Sequence, residues 1–277
     1  MVVTDFDGTI YSRKGSIHPR DLRTLTELEA GEIIRVIATG RSMESLYRVM
    51  DPAFPVDYVV FSSGAGVFDL KRQKLLRRTV FSAAETGRIC GRLMELKIDF
   101  MVHHPIPDNH FFHYFQHGGE NPDFVHRLDL YRDYAMDFDW NEIQKLEATQ
   151  FVVIMPPQED FYEVLEEEFR DVSIIWSTSP LDHASRWIEL FPEGAHKGTG
   201  VAWLAEELRI PSEKVMVVGN DFNDIHMLEW SVNSFVVENA PEELKSRFEN
   251  VAGVEKGGFS MAVERWLQRL KTMDEGA

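Results

Sequence analysis

Met1-Val-Val-Thr-Asp-Phe-Asp-Gly-Thr9 is a short apolar run that stops at two aspartates separated by one residue, then glycine and threonine. Val2 and Val3 read as a buried parallel strand, and ligands of open α/β sheets collect at the carboxyl ends of such strands. Asp5 and Asp7 fall there. Gly8 lets the chain turn, so both carboxylates can reach one point from different directions. An isolated pair of this kind is more often a turn that caps a helix. Later stretches decide between the two.

Working outward, Ser16-Ile-His-Pro19 introduces a helix over Arg20–Ala30, with Leu22, Leu25 and Leu28 at helical spacing and Gly31 as its stop. A strand over Ile33–Ala38 ends at Thr39-Gly40-Arg41-Ser42, and Met43, Leu46, Tyr47 and Met50 mark a second helix. Tyr58–Phe61 is a third strand, ending at Ser62-Ser63-Gly64-Ala65-Gly66. Strands and helices in regular alternation predict a doubly wound, mostly parallel α/β sheet. From about Ser82 the texture changes. A helix runs through Leu96, followed by strand candidates at 100–103, 110–115, 151–154, 172–176 and 186–190, with a helix over 159–170. The alternation returns with a helix over Gly200–Arg209, a strand at Val215–Val218 and the turn Gly219-Asn-Asp-Phe-Asn-Asp224. The reading is a core of 1–81 and 191–277 carrying an inserted α+β domain, 82–190, with hinges near Phe81 and Phe191-Pro192.

The 277 residues, 44% of them hydrophobic, suit a two-domain globular protein, and the net charge of −17 would repel a nucleic-acid backbone or an anionic membrane. The chain opens in a core strand, no apolar run is long enough to span a bilayer, and Cys90 is the single cysteine, so a cytoplasmic location is expected. Cys90 lies in a helical pattern and reads as a small core residue.

Asp5-Phe-Asp-Gly-Thr9, Thr39, Lys197 and Gly219–Asp224, in that order, resemble the haloacid dehalogenase (HAD) superfamily. More narrowly they are similar to the Cof-type phosphatases, whose large α+β cap (type IIB) lies between the second and third motifs. The resemblance implies that Asp5 is a nucleophile forming an aspartyl-phosphate and that Asp7 protonates the leaving alkoxide, then deprotonates water. Crowding among carboxylates raises one pKa, as a proton donor needs. It further implies that Thr39 donates to a phosphoryl oxygen and that Lys197 neutralises Asp5 and the phosphate. A lysine at a helix N-terminus opposes the helix dipole, so a structural reason for it is less obvious there. Gly8, Gly40, Arg41, Ser63, Gly64 and Asn223 fall at positions implied to line the substrate. Carboxylates converging without a cation would repel, and an oxygen-rich site suits Mg²⁺, with Asp5, the Asp7 carbonyl, Asn220, Asp221 and Asp224 as candidate ligands. The acids near 220 could equally form an acidic first turn.

Two departures stand out. The family turn reads Gly-Asp-x-x-Asn-Asp, whereas Asn220 holds the first acidic place here and Asp221 follows it. Either could be the ligand; the spacing from Asn220 to Asp224 favours Asn220. Ser63 stands where relatives carry asparagine before Gly-Ala. The cap concentrates His103, His104, His110, His113 and His117 among aromatics at spacings unlike a zinc signature, so contact with a leaving group is the better reading than a second metal. The implied substrate is a small phosphorylated metabolite such as a sugar phosphate or a flavin-type phosphate. A phosphomutase would carry a smaller cap after the first motif, and a non-catalytic binding protein would gain from Asn220 but not from intact Asp5, Asp7, Thr39 and Lys197.

Overall fold

The computed structural model describes residues 1–51, 53–156, 161–178, 181 and 184–274. The chain divides into two compact units, Met1–Arg77 with His196–Ala277, and Arg78–Ala195. The first opens with β1 (Val2–Asp5), α1 (Pro19–Ala30), β2 (Arg35–Ala38), α2 (Met43–Tyr47), β3 (Tyr58–Phe61), β4 (Gly66–Asp69) and β5 (Lys74–Arg78). The second holds α3 (Ala83–Glu95), β6 (Phe100–His103), β7 (Phe112–Phe115), α4 (Pro122–Leu130), β8 (Ala135–Asp137), α5 (Trp140–Ile143), β9 (Gln150–Met155), α6 (Tyr162–Glu168), β10 (Val172–Thr178) and β11 (Arg186–Pro192). The first then resumes with α7 (Lys197–Glu207), β12 (Met216–Gly219), α8 (Ile225–Trp230), β13 (Asn233–Val237), α9 (Glu242–Arg247), β14 (Glu249–Val251) and α10 (Gly258–Asp274).

The first unit is one sheet in the order β14-β13-β12-β1-β2-β3-β4-β5. From β14 to β3 every pairing is parallel, and β4 turns back antiparallel on β3. Its central strands are mostly apolar because helices cover both faces: Val2, Val3, Val36, Ile37, Val59, Val60, Val217 and Val218 are all buried. The first helix starts where expected, with the His18 ring capping the Arg20 amide and Pro19 just inside. Leu25 and Leu28 face the core, but Leu22 is 42% exposed and does not belong to the buried stripe. In its place the polar pair Asp21 and Thr24 is buried, bonded to Ser260 of α10.

Several boundaries differ from the sequence reading. The second strand joins the ladder only at Arg35, because Glu32 adopts a positive φ in the preceding turn. At the other bend, Phe111 N–H bonds the Asp108 carbonyl in a turn, so β7 starts at Phe112. Of the helix expected over 159–170, residues 159 and 160 lie outside the described residues, and α6 covers Tyr162–Glu168. Residues 233–274, for which sequence suggested no elements, supply two further strands and the longest helix among the described residues.

The second unit is a six-stranded sheet, β10-β11-β9-β6-β7-β8, antiparallel except where β7 meets β8. Alternation along β6 sends Phe100 and Val102 to one face, against Ile89, Cys90 and Leu93 of α3, and Met101 to the other, against Phe124 and Leu128 of α4. Cys90 is fully buried, and burial holds its thiol well above the usual range.

Candidate active site

Four neighbouring parallel strands, β3, β2, β1 and β12, release their chains at the same edge of the sheet, which gathers Ser62–Gly64, Thr39–Arg41, Asp5–Thr9 and Asn220–Asp224. At the centre, Lys197 Nζ donates to Asp5 Oδ1 and to Asp224 Oδ1, each at 2.7 Å, and reaches Asn223 Oδ1 at 3.4 Å. All three charged side chains are almost wholly buried. Burial alone would pull the ammonium down, yet Asp224 and Asp5 outweigh it and hold Lys197 above its ordinary range. The carboxyl that crowding raises is Asp5, pushed up to about 7 by burial and then by Asp224, against the pull of Lys197.

The helix bearing this lysine starts three residues earlier than expected, since Lys197 is its first residue. His196 caps it, its Nδ1 accepting from Thr199 N–H at 3.2 Å. The dipole there opposes a cation, and the two carboxylates overcome that opposition. Gly64 makes this approach possible: at φ +95° it sits where a Cβ would lie 2.1 Å from the His196 carbonyl oxygen.

Asp7 is half exposed and gripped by Arg41 through a fork, Nε to Oδ2 at 2.7 Å and Nη2 to Oδ1 at 2.8 Å. Arg41 is itself braced on the Ser45 hydroxyl and carbonyl. Thr39 is buried, its Oγ1 accepting from Arg41 N–H at 3.1 Å, which leaves its O–H to donate. Ser63 N–H bonds the Thr39 carbonyl, tying the tips of β2 and β3 together, and both Ser62 and Ser63 adopt positive φ. Such strain in non-glycine residues clusters at functional sites. Gly40 sits beside the Ser63 hydroxyl.

In the last turn, Asp224 is the brace: its Oδ2 accepts from Asn220 N–H at 2.8 Å and Asp221 N–H at 3.2 Å. Asp221 is exposed and caps the short turn, accepting from Phe222 N–H at 2.7 Å. It is therefore not among the converging groups. Asn220 is, because one terminal atom of its amide lies 3.0 Å from Asp5 Oδ2, 3.1 Å from the Asp7 carbonyl oxygen and 3.1 Å from Thr9 Oγ1. Among the described residues no cluster of three His, Cys, Asp or Glu could hold a metal ion. A cation at this spot would rest on Asp5, one backbone carbonyl and the Asn220 amide oxygen. The 3.0 and 3.1 Å that separate the Asn220 atom from the other two oxygens match the edge of an octahedron with bonds of about 2.0–2.1 Å, so the donor set fits Mg²⁺.

Sequence reasoning missed Asn239, whose Nδ2 donates to the Gly8 carbonyl at 2.8 Å and whose Oδ1 accepts from Val254 N–H, and it missed Ser45 behind Arg41. Neither has a local signal, since each matters only through a residue distant in sequence or one turn away. The cap histidines divide. His103 Nδ1 pairs with the Asn109 carbonyl and His113 Nδ1 with the Asp137 carbonyl, both at 2.9 Å, and His117 Nδ1 with Asp99 at 2.8 Å. His104 stacks on His113, while His110 packs on Phe111 and Tyr134 with its Nδ1 unpaired among the described residues.

The family model described as haloacid dehalogenase-like hydrolase matches residues 2–258. This chain belongs to that family. Phosphatase YwpJ of Bacillus subtilis is 24% identical, over 89% of this HAD chain and 92% of its own. At 22%, the 5-amino-6-(5-phospho-D-ribitylamino)uracil phosphatase YwtE of the same organism matches over 89% and 90%, and the HMP-PP phosphatase of Yersinia pseudotuberculosis over 96% and 95%. A HAD phosphatase structure from Bacteroides thetaiotaomicron superposes with a TM-score of 0.80 at 20% identity, covering 96% of this chain and 94% of the other. A subclass IIB sugar phosphatase gives 0.75 at 18%, covering 96% and 98%. The fold is thus that of the capped HAD hydrolases. No helix among the described residues is long and apolar enough to cross a membrane.

Proposed function

We propose that this HAD hydrolase removes phosphate from a small phosphorylated metabolite, a sugar phosphate or flavin-type phosphate, with Mg²⁺ and through an aspartyl-phosphate on Asp5. The observation that carries the reading is the buried Lys197 bridging Asp5 and Asp224 at 2.7 Å each, beside Asp7 and Thr39. An attacking carboxylate and a dianionic ester repel each other, and phosphoryl transfer is catalysed mainly by positioning and charge. Lys197 lowers that repulsion. An Asp5 oxygen attacks phosphorus, the bond to the leaving oxygen breaks, and Asp7 gives that oxygen its proton. Asp7 then takes a proton from water, whose oxygen attacks the same phosphorus and frees Asp5. A proton on Asp7 displaces one N–H of the Arg41 fork, so Arg41 must yield part of its grip at each turnover. Thr39 O–H is the donor at hand for a phosphoryl oxygen. Asp5, the Asp7 carbonyl and Asn220 Oδ1 would hold the metal, whose charge neutralises the phosphoryl oxygens when bound.

Relatives named for a phosphorylated ribitylaminouracil, for HMP-PP and for sugar phosphates support a small metabolite as substrate. The test is a screen of phosphorylated metabolites and an aryl phosphate, with Mg²⁺ and with chelator. Phosphate release should need the metal, and Asp5→Asn should lower it by at least about 10³-fold, as loss of a nucleophile does elsewhere. Full activity of Asp5→Asn would sink the covalent route.

A further inference from the structure

The Asn220 amide lies where three oxygens converge, and its two terminal atoms suit that spot under opposite conditions. An amide oxygen there accepts from Thr9 O–H at 3.1 Å but also faces Asp5 Oδ2 at 3.0 Å and the Asp7 carbonyl at 3.1 Å, both of which are acceptors. Those two contacts are repulsive unless a cation sits among the oxygens. An amide nitrogen in the same position carries two hydrogens and donates to Asp5 Oδ2 and the Asp7 carbonyl, needing no cation. A half turn about the Cβ–Cγ bond exchanges the two. Gly8 leaves room for it, because a Cβ there would lie 2.5 Å from the outer amide atom.

We propose that Asn220 is a two-state ligand: its Nδ2 closes the metal-free site by hydrogen bonds to Asp5 and the Asp7 carbonyl, and its Oδ1 turns inward when a divalent cation binds. This rests on the reading that Mg²⁺ binds beside Asp5. A carboxylate at position 220 could not make the first state. It would set a further negative charge against Asp5 and Asp224, with Lys197 the cation bonded to both. The amide therefore keeps the metal-free site satisfied, and an arriving cation must displace two hydrogen bonds, which lowers its affinity.

The test compares wild type, Asn220→Asp and Asn220→Leu, measuring melting temperature in chelator and Mg²⁺ binding by calorimetry. Both variants lose the donor, so both should melt lower than wild type without metal, by about 3 °C or more. Their metal affinities should move in opposite directions, about tenfold tighter for Asn220→Asp and about tenfold weaker for Asn220→Leu. In wild type, the Asn220 side-chain amide resonances should shift when Mg²⁺ is added. Either variant matching wild type in chelator, both affinities moving the same way, or amide resonances unmoved by bound Mg²⁺ would overturn the proposal. Absence of phosphate release in wild type with these binding results intact would remove the phosphatase reading and leave the two-state amide standing.

Discussion

The two units bury polar groups in different ways. The unit with the parallel sheet buries full charges, Lys197 between Asp5 and Asp224, each within hydrogen-bond reach of its counterion. The unit with the mixed sheet buries two imidazoles, His103 and His113, each tied to a backbone carbonyl, and the acids Asp99 and Asp123, which accept from His117, Asn121 and Trp187. The contrast follows from topology. Parallel strands end at one edge, so residues far apart in sequence meet there and compensated charge becomes possible. An antiparallel sheet alternates its strand ends, so its buried polar side chains are satisfied in separate places, by a carbonyl at His103 and His113 and by neighbouring side chains at Asp99 and Asp123. Charge held in a low-dielectric site serves phosphoryl chemistry, whereas burying a neutral ring mainly orders a fold.

Removing the central cation should break that contrast most strongly. Lys197→Met leaves two buried carboxylates without their shared partner, with an expected loss of about 3–5 kcal/mol of stability by chemical denaturation. Wild-type stability in this variant would mean that the acids do not depend on Lys197. In the second unit the corresponding test is pH. Burial first, then Arg127, push His103 down to about 3 from an ordinary 6.5, so the folded state keeps it neutral while the unfolded chain takes up a proton below 6.5. Its contribution is fully present above pH 6.5 and lost as pH falls towards 3. The slope of stability against pH between 6 and 4, measured by denaturant titration, should flatten by up to about 1.4 kcal/mol per pH unit in His103→Asn. An unchanged slope would show that another group carries the acid sensitivity.

The cap histidines offer a test that distinguishes packing from substrate contact. His113→Ala, which leaves the Asp137 carbonyl without its donor, should cost about 1–3 kcal/mol and lower activity on every substrate alike. His110→Ala should change stability by less than about 1 kcal/mol, since its buried Nδ1 has no partner to lose among the described residues, and a leaving-group contact through the rest of the ring would alter the ratio of activity on the best metabolite to that on an aryl phosphate about tenfold. Equal losses on both substrates would assign it to packing. The smallest effect belongs to Asp221→Asn. Asparagine caps a turn as well as aspartate does, so stability should hold within about 0.5 kcal/mol, and the Mg²⁺ concentration for half-maximal activity should change less than about twofold. A large rise would make Asp221 the ligand after all.

Sequence alone was enough for the four central strands of the parallel core but not for β13 and β14, because those four are buried on both faces and read as mostly apolar runs that end in Asp5, Thr39, Ser62 and Gly219. Those endings are short-range signals, as are Gly8 and the Pro19 helix start. It also indicated the α+β texture of the insertion through the aromatic strands around Phe100 and Phe112. Three features needed the tertiary structure. That Lys197 bridges Asp5 and Asp224 depends on contacts across 192 and 27 residues. That Asp221 turns to solvent while Asn220 turns inward depends on Asp224 collecting both their amides, a matter of backbone direction that composition cannot express. The choice among five cap histidines was equally closed to sequence, because an imidazole is a core donor, a surface group or an open ring according to which carbonyl its neighbours place beside it.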